Sequence, residues 1–177
     1  MSTEVNHCMQ HSVYLAGPLF TTAERQWNAW LATKLRGDGF KIVLPQEEAA
    51  QSITDKVINY ASILSICLTQ VRQSTAVIAV FDGPDVDSGT ALECGYAHAL
   101  NVPIVGVRSD LRSGGQESGV NTMLKRCCTK FVAVPAWKTP DTFRQKQAAT
   151  TACTLRVVVH CPATGVNPES SGPRLNL

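Results

Sequence analysis

Three carboxylates, Asp82, Asp85 and Asp87, stand within six positions of the stretch "DGPDVDSGTALECGYAHAL" (82–100), and Glu93 follows six residues after Asp87. Carboxylates in apolar surroundings are costly unless paired, hydrogen-bonded or used in chemistry. The neighbours of Glu93 are Ala91, Leu92, Cys94, Ala97, Ala99 and Leu100, so a helix here is apolar nearly all round and must be largely buried. Asp87 or Ser88 suits its N-cap, with Gly89 and Thr90 starting the helix. Glu93 then falls about one turn in, where amide dipoles favour an anion. Gly95 would let a backbone or ligand come close. A carboxylate kept ionised in a dry pocket can attack a carbon that develops positive charge, hold a cation or bind a hydroxyl. The alternative is structural: a Glu on one solvated stripe, or one paired with a buried Arg. The residues alone leave the two open.

Other chemistries fail at this loop. "GPDVDSGT" has two glycines but no lysine after the second, so it is not a phosphate-binding P-loop, and no GxGxxG follows the first strand. Three aspartates would repel a phosphate. The ligand positions and terminal Glu of an EF-hand are missing. No cofactor is expected. Magnesium on Asp82, Asp85 and Asp87 stays an alternative, as does a metal on His7, Cys8 and His11, although the latter lacks a second ligand group nearby.

The elements that would position these groups alternate in type. "SVYLA" (12–16) reads as a strand ended by Gly17-Pro18, and "TAERQWNAWLATKLRGDG" (22–39) as a helix with Trp27, Trp30, Leu31 and Leu35 on one face. "KIVLP" (41–45) is a second strand. A helix is expected from about Ser52 to Gln73, with Val57, Ile58, Ala61, Leu64, Leu68 and Val71 at helical spacing. "AVIAVF" (76–81) has the unbroken apolar character of a central parallel strand. "VPIVGV" (102–107) and "KFVAV" (130–134) complete five strands. Strands alternating with helices argue for an α/β fold, a single doubly wound domain with a five-stranded parallel sheet, flavodoxin-like in strand order. After Pro135, "KTPDTFRQKQAATTACT" reads as a closing helix and "LRVVVHC" as an extra strand. "PATGVNPESSGPRLNL" has the composition of a disordered tail. The expected organisation is a tail over 1–11, the domain over 12–150 and a largely disordered extension over 151–177.

In open α/β sheets ligands bind beyond the carboxyl ends of the strands. Gly17, Pro18 and Phe20 follow the first strand, Gln46, Glu47 and Glu48 the second, the three aspartates the third, and Arg108 and Asp110 the fourth. The unusual residues therefore gather at one sheet edge, as a small-molecule pocket requires.

Composition agrees. The chain of 177 residues is 44% hydrophobic and 17% charged, which suits one globular domain. A net charge of +2 and the lack of any Lys/Arg run argue against a nucleic-acid surface. No secretory signal and no apolar run of about 20 residues appears, so neither export nor a membrane span is expected. Seven scattered cysteines without a CxxC pair suit reduced thiols in a cytoplasmic protein.

Read together, "YLAGPLFTTAERQW", "VLPQEE", "DGPDVDSGTALECGYAHALNVPIVGVRSD" and "NTML" resemble, in that order, the nucleoside 2-deoxyribosyltransferase family, over roughly Val13 to Val134. The resemblance implies a flavodoxin-like fold and base exchange on 2'-deoxynucleosides by double displacement, with nucleosides and free nucleobases as partners. Glu93 matches the family nucleophile that forms a covalent deoxyribosyl-enzyme, the two-step logic of retaining glycosidases with a nucleobase as acceptor. Tyr14 matches the tyrosine that holds the nucleophile, and Asp87 a carboxylate for a proton on the base or for a sugar hydroxyl. Gly17, Phe20, Gln46, Asp82 and Gly89 are candidate substrate contacts, with packing and turn roles as the alternative. Asn121 and Met123 match a segment lent to the neighbouring subunit's pocket, which implies a homo-oligomer.

One departure stands out. Family members commonly carry an acidic residue on the helix before the third strand and another just ahead of that strand. "SICLTQVRQSTAVIAV" puts Cys67 and Ser74-Thr75 near those places. Two alternatives follow: a nucleoside or nucleoside 5'-monophosphate N-glycosidase that uses water as acceptor, with Arg108 and Arg112 as phosphate donors, or a nucleoside-binding protein without catalysis.

Overall fold

The structure, a computed structural model, describes residues 11–51, 53–54, 57–58, 60–110, 119–133 and 140–160. The readings placed on 1–10, on the 111–118 loop with Arg112 and on the 161–177 tail lie outside the described residues. Five strands form one sheet: β1 (Ser12–Ala16), β2 (Lys41–Val43), β5 (Ala76–Val80), β6 (Ile104–Arg108) and β7 (Lys130–Ala133). Their order is β2-β1-β5-β6-β7 and all pairings are parallel. The chain moves outward from β1 to β2, then returns across β1 to lay down β5 on its other side. The order reverses between β1 and β5, which is where doubly wound sheets open a crevice for ligand.

Two strands remain, β3 (Ile53–Thr54) and β4 (Val57–Ile58), which pair antiparallel as a separate hairpin. They replace the first part of the helix expected over 52–73; the helix itself, α3, spans Tyr60–Gln73. Val57 and Ile58 fit a helical period, but they are β-branched and pair as readily in a ladder. The strand expected over 41–45 also ends early, because Pro45 opens α2 (Pro45–Gln51). Proline lacks an N–H and has its φ preset, so it fits the first helical position.

Both sheet faces are covered. Alternation along β1 sends Val13 and Leu15 into one core layer and Tyr14 and Ala16 into the other. The first layer packs against α1 (Thr22–Gly37) through Leu31, Ala32 and Leu35. Thr21 caps α1 in a capping box with Glu24, which also receives the Phe20 N–H. The second layer packs against α3, α4 (Ser88–Ala99) and α5 (Thr122–Cys127) through Val71, Cys94, Ala97 and Leu124.

Where an extra strand is expected in "LRVVVHC", residues 155–160 are helical and Cys161 lies outside the described residues. They form the last part of α6 (Pro140–His160), which runs unbroken past residue 150. Ala148, Ala152, Leu155 and Val158 recur at helical spacing and are buried in the α1 layer. Tertiary packing overrides the β-propensity of three consecutive valines.

Candidate active site

The sheet register builds the site from β1 outward. Tyr14 lies opposite Val77 of β5 and Val43 of β2, and its side chain faces the α4 layer. It is 0% exposed. Its hydroxyl donates to Glu93 Oε1 at 2.5 Å, across 79 residues of sequence. Such a short bond to a carboxylate is charge-assisted and stronger than a neutral one. Glu93 is half-buried on α4, so the nucleophile candidate and its holder meet at the switch point.

Burial pushes the Glu93 carboxyl up to about 7, the hydrogen bond from Tyr14 opposes the rise, and the nearby Asp87 carboxylate adds to it. Burial and the Glu93 charge drive Tyr14 far above the usual phenol range, so it stays a donor. The Cys67 thiol, on α3, lies near Tyr14 and Glu93 and packs against the core layer that contains Tyr14. Burial raises it too, so near neutral pH it is the protonated thiol.

Asp87 is the N-cap of α4. Its Oδ2 accepts from the Thr90 amide at 2.9 Å and the Thr90 hydroxyl at 3.1 Å. Gly89 leaves room for it, since a Cβ there would stand 3.1 Å from that same oxygen. Asp82 is engaged differently. It accepts from the Ser109 amide at 2.6 Å, the Ser109 hydroxyl and the Asp110 amide at 2.9 Å. Asp110 returns the tie by accepting from the Gly83 amide at 3.0 Å. Asp82 therefore staples the loop after β5 to the loop after β6. Arg108, 2% exposed, turns inward and donates to the carbonyls of Phe81 and Gly83. Asp85 is exposed and accepts from the Val86 amide at 2.9 Å. The three aspartates thus diverge, and among the described residues no three His, Cys, Asp or Glu are gathered to hold a metal ion.

The loop after β1 is held from below. Asn28 of α1, 2% exposed, donates to the Pro18 carbonyl at 2.8 Å. A Cβ at Gly17 would meet Asn28 Oδ1 at 3.2 Å and Val80 at 3.3 Å, so this tight seat favours glycine. Phe20 projects from the loop with 78% of its surface exposed. Gln46, on α2, donates to the Arg25 carbonyl at 3.0 Å and ties α2 to α1. Arg36 and Glu47 do the same through a two-pronged ion pair, at 3.0 and 2.7 Å. Asn121 caps α5 by accepting from the Met123 amide at 2.9 Å, and Met123 is 79% exposed.

The structure therefore gathers Tyr14, Glu93 and Asp87, and gives Asp82, Gln46 and Asn121 visible structural bonds. Asn28 and the Arg108 contacts with the loop were not anticipated as parts of the site. Asn28 carried one signal: a polar residue on the apolar face that holds Leu31 and Leu35. Among the described residues no helix is long and apolar enough to cross a membrane.

Known structures share this fold. The chain is similar in fold to a conserved protein from Enterococcus faecalis V583, with 24% identity, 80% of this chain and 99% of that chain covered, and a TM-score of 0.62. It is likewise similar to the 2-deoxyribosyltransferase from Bacillus psychrosaccharolyticus, with 20% identity, 68% and 84% covered, and a TM-score of 0.57. A third similar structure is the Clostridium botulinum CMP N-glycosidase BcmB, with 15% identity, 78% and 98% covered, and a TM-score of 0.53. No curated protein matches the sequence. A family model described as nucleoside 2-deoxyribosyltransferase matches residues 13–177, nearly the whole sequence, and on that match the chain belongs to the nucleoside 2-deoxyribosyltransferase family.

Proposed function

We propose that the protein exchanges the base of 2'-deoxynucleosides, with Glu93 as the nucleophile. The observation that carries this reading is the 2.5 Å bond from the buried Tyr14 hydroxyl to Glu93 at the sheet's switch point. In the first step a Glu93 oxygen bonds to the anomeric carbon as the bond to the base nitrogen breaks. The electron pair leaves with the base, which takes up a proton. In the second step a nitrogen of the incoming base attacks the same carbon. The ester bond to Glu93 breaks, the carboxylate is regenerated and the incoming base gives up its proton. Two inversions give retention. The transition state is oxocarbenium-like, and an anion held beneath it gains more than it would in water.

Asp87 stands beside Glu93 and is the carboxylate assigned to the base proton or a sugar hydroxyl. Phe20 is the exposed aromatic assigned to the base. Asn121 and Met123 lie on an exposed helix start and are assigned to a neighbouring subunit's pocket, in a homo-oligomer. The cytoplasm is the expected compartment.

The test is direct. Deoxyadenosine or deoxyinosine incubated with a different free base should yield a new deoxynucleoside, and Glu93→Ala should abolish it. Donor alone should leave a deoxyribosyl mass increment on Glu93. Because only ionised Glu93 attacks, kcat/KM should climb with pH and level off above about 7. Failure of every donor–acceptor pair ends this reading. The hydrolytic alternative predicts free sugar at the rate of base release with no acceptor present. Against its phosphorylated form stands Arg108, whose guanidinium is directed to backbone carbonyls.

A further inference from the structure

We propose that Asn28 and Glu24 are positioning residues of this site: one turn apart on α1, they clamp the loop after β1 and fix where Phe20 stands. The proposal rests on the reading of Phe20 as the aromatic that meets the base. The clamp has two grips of opposite polarity. Asn28 Nδ2 donates to the Pro18 carbonyl at 2.8 Å, while Glu24 Oε2 accepts from the Phe20 amide at 3.0 Å and the Thr21 amide at 2.7 Å. Residues four apart on a helix share a face, so both grips reach the same loop. The backbone around Phe20 is thus pinned on either side, and its ring stays 78% exposed.

Burial marks Asn28 as the deeper grip. It is 2% exposed, on the face of α1 that buries Leu31, Ala32 and Leu35. An amide in such a place is costly unless it is bonded. Its Oδ1 has no hydrogen-bond partner among the described residues, so the Pro18 carbonyl is what this side chain holds there. A carbonyl only accepts, and proline has no N–H, so the amide nitrogen must face Pro18. The other end of the amide is wedged: a Cβ at Gly17 would stand 3.2 Å from Oδ1 and 3.3 Å from Val80. An aromatic on a free loop samples many positions, and ordering it would weigh against binding. Holding its backbone beforehand moves that cost into folding. The effect falls on substrate binding and spares the Tyr14–Glu93 bond, since Tyr14 faces the α4 layer, across the sheet from Leu31 and Leu35.

The experiment compares wild type, Asn28→Leu and Glu24→Ala, each with Phe20 and with Phe20→Ala. Base exchange is followed from deoxyadenosine or deoxyinosine, and amide hydrogen exchange on the free proteins. Leucine is about the size of asparagine and removes the donor and the unbonded acceptor together, so the core stays filled. Asn28→Leu should raise KM for the donor roughly 3- to 10-fold, the worth of one hydrogen bond, with kcat nearly unchanged and the acid limb of kcat/KM unmoved. In the same variant the Phe20 and Thr21 amides should exchange faster by a similar factor, and the Ile78 amide of β5 should not. Glu24→Ala should raise KM alike, and it carries the test if Asn28→Leu does not fold. On top of Phe20→Ala, which raises KM itself, either change should add no more than about a factor of two, because the clamp acts through the ring. An unchanged KM in both variants overturns the clamp. So does a rise that multiplies in full with that of Phe20→Ala, since that would assign the effect to general loosening. Amide exchange needs no turnover. If wild type exchanges no base while the Phe20 and Thr21 amides loosen in Asn28→Leu, the functional reading fails and the clamp stands.

Discussion

Glu93 is a carboxylate placed against its own solvation. Burial raises it to about 7, from the ordinary 4.5. Between those values the unfolded chain has released the proton and the folded chain still holds it, so stability falls as pH rises through the window and stays lowered above it. A neutral residue of the same shape escapes that penalty. Glu93→Gln should therefore abolish exchange yet raise stability above pH 7, by about 1 kcal/mol, or about 2–4 °C in melting temperature. Below pH 4.5 the advantage should vanish, because wild type is then neutral in both states. Melting curves at pH 4 and pH 8 check this, and equal differences at the two values would show that Glu93 is not strained by burial. Sequence suggested this carboxylate through its apolar neighbours. Composition and spacing do not reveal the counterweight; only the family resemblance points to Tyr14, whose hydroxyl meets Glu93 when β1 and α4 close on each other. Spacing along the chain carries no trace of a contact across 79 residues.

At the scale of elements, one residue serves α4 in two ways. Asp87 caps the helix through Thr90, and its charge pushes Glu93 up. Two substitutions separate the roles. Asparagine caps about as well as aspartate, so Asp87→Asn should leave the melting temperature nearly unchanged while the acid limb of kcat/KM moves to lower pH. Alanine loses the cap as well and should cost about 1 kcal/mol. A destabilised asparagine variant, or one with an unmoved acid limb, would refute this division. The caps and strands of this half were readable because local chemistry decides them: Asp87 before Gly89-Thr90, and the apolar run 76–81 that became a strand buried along its whole length. Local chemistry misled where two periods fit one segment. Val57 and Ile58 suited a helix and became part of a hairpin, and "LRVVVH" suited a strand and became the end of α6. The buried set Ala148, Ala152, Leu155 and Val158 has helical spacing, so the better signal was present beneath the valine run.

Across the whole molecule, the sheet separates two jobs. The layer with Tyr14, Cys94 and Ala97 carries the candidate site, and the layer with Leu31, Leu35 and α6 carries packing. The closing helix runs unbroken past residue 150 and packs into the α1 layer on both sides of that position. Leu155 is fully buried there, so Leu155→Ala removes packed methyl groups and leaves a cavity. It should destabilise by about 2–5 kcal/mol, read as a lower midpoint in urea. Because the sheet lies between Leu155 and Glu93, the acid limb of kcat/KM should stay where wild type has it under conditions that keep the variant folded. A chain ended after Thr150 loses Ala152, Leu155 and Val158 together and bares the α1 layer. Its expected state is one without a cooperative melting transition. A truncated chain that melts cooperatively near wild type would return α6 to the status of an appendage, and a shifted acid limb in Leu155→Ala would show that the two faces are coupled through the sheet.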